Sequence, residues 1–181
     1  MNEKKNKAWL KWLIIILGVV ALVIAAFFIV QAVMHNTKYS TKEYNIEESA
    51  DGVTVKLNTV ERLPMEDEKC LERIVLIGKE ETFDCLIANM TITNNTDDEY
   101  DYSYRNFGHR DALNGDKVMP TSITRVGYEG IDVTKDMASG ESHTQDVLYS
   151  IQNTENLNDI QIIYKVNPRA DDGGAEISLP L

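Results

Sequence analysis

Residues 83–93 read FDCLIANMTIT and carry the clearest strand pattern in the chain. Apolar side chains recur at every second position, at Leu86, Ala88, Met90 and Ile92. Successive side chains of a strand point to opposite faces, so these four share one face, while Cys85 and Ile87 make the other face partly apolar. Because two covered faces are typical of a central strand, we predict that this segment lies inside a sheet.

Shorter strand signals lie on both sides of this segment. Alternation begins at Val53, and turn signals such as Asn114-Gly115 and Ser139-Gly140 separate the apolar stretches that follow. These further stretches are residues 74–77, 102–107, 118–126, 145–151, 160–166 and 175–179. Helical periodicity is not sustained there. The pattern predicts an all-β domain over residues 53–181, an antiparallel β-sandwich of immunoglobulin-like type.

The N-terminal segment has a different character. Residues 12–30, WLIIILGVVALVIAAFFIV, contain no charge and no proline. A helix of this length extends about 29 Å, close to the ~30 Å hydrocarbon core of a bilayer. We therefore predict a basic tail at 1–11, one transmembrane helix at 12–34 and a polar stalk at 35–52. A signal peptide cleaved after Ala32 is the alternative.

Charge around the apolar segment predicts its orientation. Four lysines precede it, at positions 4, 5, 7 and 11. Positive residues near the first span are retained on the cytoplasmic side. The expected arrangement is a single-pass protein of the cell membrane, with the N-terminus in the cytoplasm and the C-terminal domain outside.

The outer part of the chain is strongly acidic. Residues 35–181 carry a formal charge of −14, against −11 for the whole chain. Such a surface repels phosphate backbones, so we expect no nucleic-acid partner. It favours cationic partners, or serves only to keep the domain soluble.

A family resemblance adds to this interpretation. It is carried by Asn94-Asn95 after a hydrophobic strand, Tyr104, Phe107, the LNGDK turn at 113–117, the ASGE turn at 138–141, and the segments 147–151 and 157–164. This order resembles a widespread Gram-positive extracellular domain of unknown function, similar in fold to a secreted mycobacterial immunogenic protein. The resemblance implies an immunoglobulin-like sandwich behind a lipid or transmembrane anchor. It brings no catalytic residues, and this chain lacks the anchoring cysteine of the lipoprotein members.

The two cysteines, Cys70 and Cys85, both fall in the predicted outer domain, where oxidation is permitted. They would face each other across a hairpin that turns at Ile77-Gly78. A turn one residue later would make them diagonal neighbours about 7 to 8 Å apart, at the limit for a disulfide. Both the bonded and the free state therefore remain open.

Enzymatic patterns are missing from the sequence. His35, His109 and His143 are scattered without metal-ligand spacing, and neither GxSxG nor SxxK is present. We interpret residues 109–111, His-Arg-Asp, as a solvated loop. The acidic stretch 97–101 could bind calcium but lacks the usual loop pattern, so a plain polar turn is favoured. We expect no catalysis, no metal and no cofactor.

Two functions agree with these observations. The first is an extracellular binding module for a protein or peptide of the cell envelope, with a candidate patch of Tyr100, Tyr102, Tyr104, Arg105, Phe107 and His109. The alternative is a purely structural role, in which these tyrosines only cover a sheet. The second function is a structural or regulatory subunit of a transport or secretion complex, held partly by helix packing in the membrane. The sequence does not determine the oligomeric state.

Overall fold

This computed structural model describes residues 3–71, 82–112, 115–120, 134–170 and 174–181. The chain forms two compact units, Met1–Tyr39 and Ser40–Leu181. The first is a helix and the second an antiparallel β domain, which confirms the predicted fold class of an all-β domain preceded by one apolar helix.

Helix α1 extends over Glu3–Lys38. Its segment Trp12–Val33 is 22 residues long, has a mean hydropathy of 3.4 and buries none of its side chains within the protein. A helix of this length and composition can cross a bilayer, and a signal sequence near the N-terminus has the same features. The predicted apolar helix is confirmed in its length and composition, and its role as a membrane anchor stays a prediction.

A hairpin follows the helix after only two residues. Strand β1 is Thr41–Ala50 and strand β2 is Val53–Pro64. They are joined at Asp51 and Gly52, whose φ angles of 46° and 75° fit the type I′ turn typical of tight hairpins. The predicted stalk at 35–52 is therefore wrong, because residues 41–50 pair with β2. The polar, exposed side chains of β1 are those of an edge strand.

Within the described ranges, the main sheet contains four strands, in the order β1-β2-β3-β8. Strand β3 is Phe83–Asn94 and strand β8 is Ser142–Gln152. The predicted central position of this segment is correct, since β3 pairs with β2 on one side and β8 on the other. The four alternating apolar residues of β3 are fully buried.

The second sheet has the order β10-β9-β5-β6. Its strands are β5 (Phe107–Arg110), β6 (Met119–Pro120), β9 (Gln161–Lys165) and β10 (Glu176–Pro180). A two-stranded sheet pairs β4 (Tyr100–Ser103) with β7 (Thr134–Met137). The buried side chains of all three sheets form one hydrophobic core.

Two of the predicted strand stretches cannot be compared in full. Residues 121–126 of the stretch 118–126 lie outside the described residues, as do residues 74–77.

A smaller apolar cluster covers part of the opposite face of the main sheet. It contains Met65, Cys70, Cys85, Ile87 and Leu148. Cys70 lies in the short helix α2 (Glu68–Leu71) and forms a disulfide with Cys85 of β3, with a Cα–Cα distance of 6.1 Å. The hairpin geometry considered for the two cysteines is wrong, because β3 pairs with β2 and Cys85 lies opposite Leu63.

Candidate binding site

The predicted patch does not form one surface. Tyr102, Phe107 and His109 are buried, with exposed fractions of 1%, 5% and 3%. Tyr100 is half-buried. Of the six residues, only Tyr104 and Arg105 are exposed, so the structure contradicts the predicted patch at most of its positions.

The buried tyrosines hold the sheets together. The Tyr100 hydroxyl is 2.9 Å from the Tyr164 hydroxyl, and it donates to the Val166 carbonyl at 2.8 Å. The Tyr102 hydroxyl is hydrogen-bonded to Nδ1 of His143 on β8. Burial raises the pKa of Tyr100 and Tyr164, which keeps both hydroxyls protonated.

His109 and Asp111 are also inside the domain, so their interpretation as a solvated loop is wrong. His109 Nε2 is 3.5 Å from Asp111 Oδ2, and its ring packs edge-on against Tyr149 at 5.6 Å between centroids. Burial lowers the pKa of His109, although Asp111 opposes this shift. The imidazole is therefore neutral near pH 7.

A buried arginine stabilises the same end of the domain. Arg62 on β2 binds Asp84 of β3 with Nε and Oδ2 2.7 Å apart. Its two other nitrogens donate to the carbonyls of Glu155 at 2.7 Å and Asn153 at 3.1 Å. Burial, and then the nearby Asp111 carboxylate, raise the pKa of the largely buried Glu155. Loop 153–155 is thus fixed to the main sheet by a buried charge.

Tyr104 and Arg105 lie on a short 3-10 turn, Tyr104–Asn106, directly after β4. The Ser103 side chain accepts from Arg105 N at 3.3 Å, and Asn106 Oδ1 accepts from Ser103 N at 2.8 Å. Asn106 Nδ2 donates to the Lys165 carbonyl at 2.7 Å, which connects the turn to β9. This reciprocal capping fixes the turn so that both side chains point outward.

Tyr104 is 41% exposed, and outside α1 it is the one exposed large apolar or aromatic side chain within the described ranges. The Arg105 guanidinium carbon lies 5.7 Å from the centre of the Tyr104 ring, and Arg105 Nε donates to the Tyr104 hydroxyl at 3.3 Å. Tyrosine and arginine are enriched where proteins bind one another. The pair is a compact contact point, since the other large apolar side chains among the described residues of the domain are buried or half-buried.

A cavity of about 230 Å³ opens beside this pair. Its lining residues are Tyr104, Arg105, Asn106, Phe107, Gly108, Val118 and Lys165. A Cβ atom on Gly108 would lie 2.7 Å from Val118 Cγ1 and 2.8 Å from the Met119 carbonyl oxygen. Only glycine therefore allows the chain at 118–119 to approach β5 closely and form one wall.

The two charged side chains that line the cavity are both cations. Arg105 and Lys165 both line it. In the part of the chain that the structure describes, neither forms an ion pair with a carboxylate, whereas Arg62, Lys69 and Arg110 do. These two cations are thus available to an incoming anionic group. We name the pair Tyr104–Arg105, with Lys165 and the cavity, the turn site.

A second cavity, of about 380 Å³, lies near Arg110. Arg110, which lines this cavity, is already hydrogen-bonded to Glu176 at 2.8 Å and to Gln161 at 3.1 Å. Within the described ranges, no group of three or more histidine, cysteine or acidic side chains is arranged to hold a metal. The acidic turn after β3 is organised by Asn94, whose side chain bonds Thr96 and the Asp98 carbonyl.

The sequence carries local signals for two features that its apolar pattern does not show. Asp51-Gly52 is a strong hairpin signal that would have identified β1. Ser103 and Asn106 have the spacing of a capping box, which would have ended β4 before Tyr104. The meeting of Arg105 and Lys165 at the turn site has no local sequence signal, since Lys165 is 60 residues from Arg105.

Comparison with known proteins supports the fold. No protein-family model matches the chain, and no curated protein matches it. The structure is similar to the yjhA protein of Bacillus subtilis, with a TM-score of 0.58 and 17% identity over 77% of this chain and 98% of that one. It is also similar to the candidate lipoprotein ycdA of Bacillus subtilis, with a TM-score of 0.51 and 14% identity over 77% of this chain and 39% of that one. Identities this low show a shared fold alone.

Proposed function

We propose that this protein is a membrane-anchored binding module of a Gram-positive cell envelope, and that it catalyses no reaction. In this proposal α1 spans the cell membrane once, with its N-terminus in the cytoplasm and an immunoglobulin-like domain outside. The lysines before the apolar segment support this orientation. The likeness to a candidate lipoprotein also favours a membrane-associated β domain.

The turn site is the observation that carries the proposed function. A fixed turn presents one exposed tyrosine and an arginine beside a small cavity, while the other described large apolar side chains of the domain are covered. Preorganised aromatic and arginine side chains lose little conformational entropy on binding, so they serve well as anchors. Binding of a protein segment is the chemistry that this geometry favours.

The position of the acid–base pair favours a non-catalytic role. His109 and Asp111 are the best candidates for proton transfer, but both side chains are buried. A general base must reach the proton that it removes. Asp111 lines the second cavity but is only 5% exposed, and His109 lines neither of the two cavities described above, so a substrate bound there would not meet the imidazole.

A second candidate function is that of an accessory subunit in a membrane complex. Seven residues separate Val33, the end of the apolar segment, from Thr41 at the start of β1. Even fully extended, seven residues reach only about 25 Å. A domain on so short a connection meets proteins of the same membrane most often, which favours a partner that is itself membrane-bound.

Site-specific photocrosslinking in cells tests the proposal. A benzophenone amino acid at position 104 should give one discrete adduct of higher mass, and the same group at the exposed Thr144 of β8 should not. No adduct at position 104, or an identical pattern at both positions, would refute the proposed site.

The same adduct separates the two candidate functions. Replacing residues 12–33 with an unrelated transmembrane helix should leave the adduct unchanged if the β domain alone selects the partner. Loss of the adduct would mean that α1 contributes to recognition, as an accessory subunit requires.

A further inference from the structure

The turn site also indicates which chemical group it would receive. We propose that it binds a peptide segment of a protein partner in which one carboxylate lies next to an apolar side chain. The inference rests on the proposed binding function and specifies the ligand of the same site.

The carboxylate is inferred from the two available cations. Arg105 and Lys165 line the same cavity and form no ion pair within the described residues. Other exposed cations, such as Lys42 and Arg169, also form no ion pair within the described residues, so what distinguishes Arg105 and Lys165 is that they share one cavity. Two that remain open beside a cavity are electrostatically complementary to one anionic group. Arginine binds carboxylate with its planar fork, and lysine adds a second donor.

The apolar side chain is inferred from the size and walls of the cavity. Its volume is about 230 Å³, and Phe107, Gly108 and Val118 contribute to its lining. Pockets for small molecules usually measure about 300 to 1,000 Å³. This cavity is smaller and suits a single side chain that projects from a peptide. The exposed Tyr104 ring provides further apolar contact at the entrance.

The overall charge of the domain argues against larger anionic partners. A membrane of anionic lipids, an anionic wall polymer or a run of acidic residues would bring many negative charges near a domain of charge −14. One carboxylate between Arg105 and Lys165 is attracted locally, because it lies within one Debye length, about 8 Å at physiological salt, of both cations. The observations thus favour a singly charged peptide segment over a lipid surface.

Peptide binding to the full-length protein in neutral nanodiscs tests the proposal. The probes are fluorescent heptapeptides with one Leu-Glu pair in a neutral background, the same peptides with Leu-Gln or Ala-Glu, and a peptide with four glutamates. We expect the Leu-Glu probe to bind at least tenfold more tightly than the other three. This preference should weaken as salt is raised.

Matched variants assign the effect to the turn site. The double variant Arg105→Gln with Lys165→Gln should weaken Leu-Glu binding at least tenfold. Lys42→Gln with Arg169→Gln removes the same charge from two exposed positions away from the cavity, and it should leave binding within twofold of the parent protein. Thermal melting of each variant shows whether a loss of binding reflects a loss of folding.

Each contrary outcome overturns a defined part of the proposal. If Leu-Glu and Leu-Gln bind equally and Tyr104→Ser abolishes both, the site stands and the carboxylate is wrong. If no peptide binds but the protein retains vesicles of anionic lipid through Arg105 and Lys165, a membrane surface is the ligand and the proposal fails. If neither binds, the ligand chemistry is wrong, while the crosslink at position 104 decides the binding function independently.

Discussion

Tyr102 and Tyr104 are two residues apart, yet they occupy opposite environments. Tyr102 is 1% exposed on β4 and bonds His143, whereas Tyr104 is 41% exposed on the turn that follows. On a continuous strand both side chains would share one face. The strand ends at Ser103, and the capped turn redirects the chain. A recognition surface therefore cannot be inferred from tyrosine spacing alone, because one change of backbone conformation separates a core residue from a contact residue.

The largest expected difference concerns the stability of the domain. Tyr102→Ser removes a buried ring that packs on Phe107 and leaves His143 without its hydroxyl partner, so it should cost about 3 to 5 kcal/mol. Tyr104→Ser acts on the surface and should change stability by less than about 0.5 kcal/mol. Thermal melts of the two variants measure this directly. Equal melting temperatures would show that both rings have the same environment.

Loss of the disulfide should have a similar but smaller effect, in the smaller apolar cluster, which contains neither tyrosine. Cys70 and Cys85 are 15 residues apart, and a loop of that size is worth about 3 kcal/mol in the chain-entropy model. The double variant Cys70→Ser with Cys85→Ser should be destabilised by about that amount, and partner binding at the turn site should be retained at low temperature. A reductant should lower the melting temperature of the parent protein and not that of the variant. Sensitivity of the variant to reductant would contradict the assignment.

Asn106→Ala should separate the rigidity of the turn from its exposed groups. Asn106 is buried and bonds both the Ser103 amide and the Lys165 carbonyl, so its loss leaves buried groups without partners and should cost about 1 to 3 kcal/mol. The exposed side chains remain in this variant but are less well fixed. Binding should therefore weaken even where the domain remains folded, as calorimetry at 10 °C can show. Unchanged binding would mean that the fixed turn is not needed.

The buried end around Glu155 should make stability depend on pH. The pKa of Glu155 is raised by burial and by Asp111, so the folded domain binds a proton more tightly there than the unfolded chain does. The resulting contribution to the free energy of unfolding is complete below the ordinary glutamate pKa of 4.5. It is lost as pH rises through the higher pKa of the folded state. His109 has a lowered pKa, so its contribution is complete above 6.5 and is lost as pH falls through the lower folded pKa.

Chemical denaturation between pH 4 and pH 8 checks these signs. Glu155→Gln should remove the decline that begins above pH 4.5. A profile of Glu155→Gln that parallels that of the parent protein would place the titrating group elsewhere.

The same contrast explains how far the sequence could predict the structure. Residues 83–93 were predictable because burial on both faces leaves an unmistakable pattern of apolar residues. The composition of strand β1 did not predict it, since an exposed edge strand with Lys42, Glu43 and Glu47 resembles a linker, and its one usable signal is the Asp51-Gly52 turn. The turn site was only partly predictable, because it combines Arg105 with Lys165 from a distant strand and depends on where β4 ends.

Tyrosine footprinting by chemical nitration and mass spectrometry compares the two environments and tests binding in one experiment. In purified full-length protein, Tyr104 should be nitrated rapidly, and Tyr102 and Tyr164, which are buried, slowly. In native membranes, where a partner is present, we expect Tyr104 to be protected at least severalfold and the buried tyrosines to be unchanged. Nitration of Tyr104 at the same rate in native membranes and in the purified protein would contradict a binding role for the turn site.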